Sequence, residues 1–196
     1  STSAASGYGL ASAQATGRRM LVLFTSYAAL KKTSQAITGP LAREDIYVYE
    51  QGDGASPNAL LESFKATDRA VLLGTKSFWE GVDVPGETLS CVIIDKLPFE
   101  VPSDPVIMAR IDKIRAEGGN PFVDFQIPRA ILTLRQGLGR LMRSASDSGL
   151  LAIMDVRLFT KQYGRLFLKS LPDSPIIRTL EEVSRFFQET TGTAGT

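Results

Sequence analysis

Gln136-Gly137-Leu138-Gly139-Arg140-Leu141-Met142-Arg143 is the stretch whose residue types point most directly to chemistry. On a helix, Arg140 and Arg143 share a face, because residues three apart are neighbours there. Two permanently charged, planar guanidiniums on one face suit a polyphosphate, which each can bond through paired N–H groups. Gly137 and Gly139 each cost a helix about 1 kcal/mol against alanine. Glycine is easier to explain there if a ligand or another backbone comes close. Taken alone, the segment also fits the end of a basic surface helix.

Two further segments end an apolar run in polar groups. Met20-Leu21-Val22-Leu23-Phe24 is followed by Thr25, Ser26 and Tyr27. Val71-Leu72-Leu73-Gly74 is followed by Thr75, Lys76 and Ser77, and then by Phe78-Trp79-Glu80-Gly81-Val82-Asp83. Hydroxyls, amides and a lysine at such turns suit phosphate oxygens. Local capping by Thr25 or Ser26 and a backbone-bonding turn aspartate at Asp83 fit the same residues. Trp79, the single tryptophan, fits base stacking or core burial.

These residues need elements to position them. At 196 residues and 43% hydrophobic, the chain supports one ordinary core. Residues 1–17, rich in Ser, Ala, Gly and Thr, read as a flexible leader or linker, and residues 190–196 as a similar tail. Residues 18–189 are expected to form the domain. Strands are predicted at Met20–Phe24, Ile46–Tyr49, Ala70–Leu73, Leu89–Asp95 and Gly149–Met154. Helices are predicted from Ser26 to Thr38, Pro57 to Ala66 with Ser56 as N-cap, and Asp104 to Glu117. Others follow from Pro128 through Arg143, Thr160 to Ser170 and Arg178 to Glu189. Continuous apolar strands alternating with helices imply an α/β domain with a mostly parallel sheet covered on both faces. Ligands in such folds sit at the carboxyl ends of the strands, where the polar turns fall.

Net charge is +1, so overall electrostatics do not mark a nucleic-acid binder, although a local basic stripe remains compatible. Without histidine, histidine catalysis and ligation are excluded. One cysteine, Cys91, excludes an internal disulfide and an all-cysteine iron–sulfur cluster within this chain. No metal ligands are assigned. No Gly-x-x-x-x-Gly-Lys-Ser/Thr loop is present, nor an Asp-Glu pair after an apolar strand. No signal peptide or long apolar span is present, and a cytoplasmic location with no membrane contact is expected.

In their order, the three segments resemble motifs IV, V and VI of superfamily 2 helicases. Ile94-Asp95-Lys96-Leu97-Pro98-Phe99, Pro102-Ser103-Asp104-Pro105, Asp155-Val156-Arg157-Leu158 and Lys161-Gln162-Tyr163-Gly164 resemble the XPD/DinG family, bacterial DinG type. The resemblance covers residues 18–189. It implies a RecA-like three-layer αβα fold and the second motor domain of an ATP-dependent DNA helicase moving 5′ to 3′. Arg143 resembles the arginine finger on the γ-phosphate. Arg140 resembles its companion, and Gln136 a residue facing the nucleotide or attacking water. Glu80, Gly81, Asp83 and Gly139 are expected at the ATP-binding side. Thr25, Ser26, Tyr27, Thr75, Lys76 and Ser77 are expected on single-stranded DNA, contacting the backbone without reading sequence.

ATP and Mg²⁺ would be held mainly by an N-terminal RecA-like partner domain of the same protein, which is expected to be a monomer. The isolated chain is expected not to hydrolyse ATP. Glu117 to Asp124 reads as mobile without that partner, and Phe99 to Pro105 as a rigid proline-rich stretch. Arg157 reads as a basic candidate or as a partner of Asp155. A translocase or remodeller without strand separation, and a degenerate RecA-like interaction module, are the alternative readings.

Overall fold

The computed structural model describes residue 7 and residues 19–75, 78, 89–101, 103–139, 149–177 and 179–192. Strands β1 (Arg19–Leu23), β2 (Tyr47–Glu50), β3 (Ala70–Gly74), β4 (Leu89–Ile94) and β5 (Leu150–Ile153) form one sheet. Their order is β2-β3-β1-β4-β5, and all pairs are parallel. Parallel neighbours need long crossovers, and these are supplied by helices that must lie on the sheet faces.

Both faces are consequently dry. Leu21, Leu23, Leu72, Val92 and Ile94 point to one face. There they meet Leu60, Leu61 and Phe64 of α2 (Pro57–Lys65) and Ile127, Ala130 and Leu134 of α4 (Ile127–Leu138). Met20, Val22, Val71, Leu73, Cys91 and Ile93 point to the other, against Leu30, Ile37 and Leu41 of α1 (Tyr27–Ala42). Val183 of the terminal helix α7 (Leu180–Gly192) also joins that face. The period of two is present in space but invisible in sequence, because both alternating sets are apolar.

Local chemistry sets the helix ends. Ser56 caps α2 by accepting from the Ala59 amide at 3.2 Å, with Pro57 in the first turn. Asp104 caps α3 (Pro105–Ala116) by accepting from the Val106 amide at 2.8 Å. Helix α1 extends to Ala42, past the expected end at Thr38 and through Pro40. A proline in the last turn removes only one donor, and buried Leu41 anchors that turn beyond it.

Two helical expectations are corrected. The helix predicted to open at Pro128 runs directly on from a π-helical turn at Phe122–Gln126. Pro128 has no N–H for the carbonyl four residues back, and its ring would crowd it. The wider turn accommodates both facts, with the Ile127 amide reaching the Phe122 carbonyl instead. Glu117 to Asp124, read from sequence as mobile without the partner domain, leads into that turn through local hydrogen bonds. The Asn120 side chain accepts from the Phe122 amide at 3.0 Å, and Asp124 accepts from the Asn120 amide at 2.7 Å. The helix expected over Thr160 to Ser170 is two short ones, α5 (Arg157–Thr160) and α6 (Gly164–Ser170). Gly164 makes the break possible, since an added Cβ would run into the Leu158 carbonyl.

Cys91 lies in β4 with no exposed surface, and burial pushes its thiol up to about 12. A thiol-specific reagent in mildly alkaline buffer should therefore label the unfolded chain and leave the native chain unlabelled over the same period. Native labelling at the rate of a free thiol would contradict the two-sided burial of β4.

Candidate functional site

Every strand delivers its following residues to one edge of the sheet, where Thr25, Ser26, Tyr27, Thr75 and Asp95 fall. The Phe24 amide donates to the Gly74 carbonyl at 2.9 Å, the Asp95 amide to Leu23 at 3.1 Å and the Met154 amide to Ile94 at 2.8 Å. These bonds carry the ladder one rung past the strands and align the turns along a common rim.

At one end of that rim, the residues after β1 and β3 meet around Gln51. The Gln51 amide donates to Leu73, continuing the β2–β3 ladder. Its side-chain Oε1 accepts from the Thr75 amide at 2.7 Å and from the Thr75 hydroxyl at 2.9 Å. Its main-chain carbonyl accepts from the Tyr27 hydroxyl. One helical turn further along α1, Lys31 pairs with Glu50, the last residue of β2. The hydrogen bond to Glu50 is the chief cause of the raised pKa of Lys31, partly opposed by burial.

Thr25, Ser26 and Tyr27 are all exposed on this rim. Ser26 is also the N-cap of α1, accepting from the Ala29 amide at 3.5 Å. The capping reading is therefore realised, and it leaves the hydroxyl's own proton available to another acceptor. Thr75 is half-buried, with both donors committed to Gln51. Gln136 is exposed in the last turn of α4, while neighbouring Gly137 and Leu138 are buried. Gly139 is the C-cap of α4, and a Cβ there would meet only its own helix, the Arg135 carbonyl oxygen at 3.4 Å first. Helix α4 is described as far as Leu138, and Arg140 to Arg143 of the predicted helix lie outside the described residues. Lys76, Ser77, Glu80, Gly81, Asp83, Arg140 and Arg143 lie outside the described residues, as does Trp79.

A second polar node, whose Asp155–Arg157 pair is one of the two sequence readings, sits beyond β4 and β5. The buried Asp155 carboxylate accepts from the Leu97 amide at 2.9 Å and the Arg157 amide at 3.0 Å. It also accepts from Arg157 Nη2 at 2.6 Å. Of the two readings of Arg157, partnership with Asp155 is the one the structure realises. Arg157 also lies 5.3 Å from the Phe99 ring centre. Phe99 in turn stacks on Phe122 and meets Tyr163 and Phe167 edge-on. The Phe99 loop is held from two sides, by a carboxylate at its root and an aromatic cluster at its tip. A signal was present in sequence, the Asp-x-Arg after an apolar strand, but its partner at Leu97 is 58 positions away.

Asp95 stands between these nodes at the end of β4, half-buried. Burial raises its pKa, Lys96 opposes the rise and Asp155 adds to it. For Asp155, burial pushes upward but is outweighed by hydrogen bonds from the Arg157 side chain and the Leu97 and Arg157 amides, so its pKa falls. Among the described residues no group of three or more His, Cys, Asp or Glu is placed to hold a metal ion. The sequence carries no P-loop of the kind that cradles nucleotide phosphates. A cavity of about 490 Å³ between α3 and the π-helical turn, lined by Met108, Arg115, Phe122 and Gln126 among others, contains none of the expected site residues.

Comparison with known proteins bears on this rim. The family described as "Helicase C-terminal domain" matches residues 10–174. The "ATP-dependent DNA helicase YoaA" of Haemophilus influenzae is 46% identical over 170 residues, covering 87% of this chain and 26% of that protein. The "3′-5′ exonuclease DinG" of Bacillus subtilis is 46% identical over 159 residues, covering 81% of this chain and 17% of that protein. The chain thus spans about a quarter or less of the length of these curated relatives. A solved structure titled as an XPD helicase superposes with a TM-score of 0.64 at 21% identity, covering 87% of this chain and 30% of that one. At that identity the superposition speaks for the fold, which is the RecA-like α/β arrangement of helicase motor domains.

The two carboxylates should respond oppositely to neutralisation. Asp155's lowered folded pKa means it adds stability above the unfolded value of about 3.9, lost as pH falls through the folded value. Asp155→Asn should therefore lower stability near neutral pH by about 1–3 kcal/mol, at the lower end because Arg157 is partly exposed. Asp95's raised folded pKa means it costs stability at neutral pH and ceases to do so below about 3.9. Asp95→Asn should raise the neutral-pH melting temperature, with both differences shrinking in acid. Thermal unfolding of the two variants across that range checks the signs.

Proposed function

The chain belongs to the helicase C-terminal domain family, and on that premise we propose that it is the second motor domain of an ATP-dependent DNA helicase. The observation that carries the reading is the family match over residues 10–174, within which Glu80, Gly81, Asp83, Gln136, Arg140 and Arg143 are all present. A degenerate interaction module would have no need of that set.

The chemistry assigned to this domain is electrostatic. Phosphoryl transfer spreads charge over the equatorial oxygens of the transferring group, and a protein accelerates it mainly by positioning and charge stabilisation. Arg143 meets that charge and Arg140 supports it. Gln136 faces the nucleotide or the attacking water. Glu80, Gly81, Asp83 and Gly139 line the nucleotide side. The nucleotide and its Mg²⁺ belong to the N-terminal motor domain, because this chain lacks the loop that cradles phosphates. Thr25, Ser26, Tyr27, Thr75, Lys76 and Ser77 contact the backbone of single-stranded DNA. Both ligands then address one rim, and closing the cleft on ATP moves the DNA-facing turns with the arginines. Movement from 5′ to 3′ rests on the family resemblance.

Two measurements test the reading. The purified 196-residue chain should release no phosphate from ATP above background, with or without single-stranded DNA. DNA-stimulated turnover by this chain alone would defeat the half-motor assignment. In the full-length protein, Arg143→Ala should reduce hydrolysis by roughly 10³–10⁵, with nucleotide-free DNA affinity almost unchanged. Equal loss of both in a folded variant would move Arg143 to the DNA side.

A further inference from the structure

We propose that Gln51 is a positioning residue that locks the turn after β3 to the start of α1, so that the two DNA-facing segments move as one body. The proposal rests on the reading above that Thr75 and Tyr27 face DNA; nothing in that reading gives Gln51 a role.

The geometry is specific. Strand β3 ends at Gly74 and β2 at Glu50, so the Thr75 amide has passed the last regular rung. The Gln51 side chain supplies the missing acceptor, and the same Oε1 takes the Thr75 hydroxyl. Because one of the two donors is a main-chain N–H, the oxygen of the Gln51 amide must face Thr75. The main-chain carbonyl of Gln51 takes the Tyr27 hydroxyl. One residue therefore bonds both segments, through its side chain in one direction and its backbone in the other.

The neighbouring residue is shaped for the same contact. Gly52 has φ +98°, and a Cβ there would overlap the Tyr27 hydroxyl. Any larger residue would be strained in backbone and would displace the tyrosine. Lys31–Glu50 adds a second tie between α1 and the end of β2. Motif IV and the start of motif V thus reach DNA from a shared support rather than as independent loops. A phosphate bound by one segment is held in register with a phosphate bound by the other.

The test is a double-mutant cycle in the full-length protein, read as the oligothymidylate concentration giving half-maximal stimulation of ATP hydrolysis. Gln51→Met keeps length and removes the acceptor, while Thr75→Val keeps shape and removes the hydroxyl. Each should raise the midpoint about three- to tenfold, as for loss of one or two hydrogen bonds. The double variant should be no worse than the more severe single one, because both act through the same contact. Gln51→Glu keeps an acceptor for both Thr75 donors, so at a salt concentration that screens its charge it should lose less than Gln51→Met. Multiplying effects in the double variant, or equal losses for Gln51→Glu and Gln51→Met, would overturn the proposal. A normal midpoint for Gln51→Met beside a raised one for Thr75→Val would remove the positioning role and leave the DNA reading standing. If Gln51→Met, Thr75→Val and Lys76→Ala all keep the normal midpoint, the DNA reading of this turn fails and the proposal fails with it.

Discussion

A parallel sheet buried on both faces governs the rest of this molecule. Parallel ladders satisfy the backbone only if every strand is re-entered from the same end, and each crossover must then cover a face. In β1, β3 and β4 this leaves no solvent-facing position: β3 and β4 are buried at every residue, and β1 at all but Arg19. Apart from Arg19 and Ser90, these three strands carry no polar side chains, and such groups appear where the strands stop. The proposed chemistry is assigned to the carboxyl rim for that reason.

A rim made of turns lacks the repeating bonds that stiffen the strands below it. Here two side chains extend that regularity beyond the last rung. Gln51 substitutes for a ladder acceptor at the Thr75 end. Asp155 does so at the Leu97 end, joining it to Arg157 and, through Phe99, to the aromatic cluster over α6. An uncharged hydrogen bond contributes about 0.5–1.5 kcal/mol and a charged one about 1.5–3. Those are small against the core, but they are spent on residues whose position matters more than their burial. The proposed motor role depends on such fixed turns, since catalysis and stepping both rest on holding groups in place rather than on covalent chemistry.

The electrostatic balance of the rim is uneven. Asp155 is stabilised as a carboxylate, whereas Asp95 is half-buried beside it with an upward shift. Lys96 is the one cation that moderates Asp95 among the groups acting on it. A strained carboxylate at the end of a central strand is a local cost, and functional rims are where folded proteins tolerate such costs.

The sequence determined the layer architecture and the strand positions, because runs such as Val71-Leu72-Leu73 and Val92-Ile93-Ile94 have no stable alternative to two-sided burial. It determined the caps at Ser56 and Asp104, whose bonds span two or three residues. It also carried the resemblance to the helicase family that matches residues 10–174. Tertiary structure alone decided the strand order, the joining of Phe122–Gln126 to α4 and the break between α5 and α6. It alone decided that Gln51 meets Thr75 across 24 positions and that Asp155 meets Leu97 across 58. The division has one physical reason. Periodicity and capping are set by neighbours a few residues apart, so local sequence encodes them. A glutamine that completes another strand's ladder looks like any polar loop residue until the sheet has brought the two ends together.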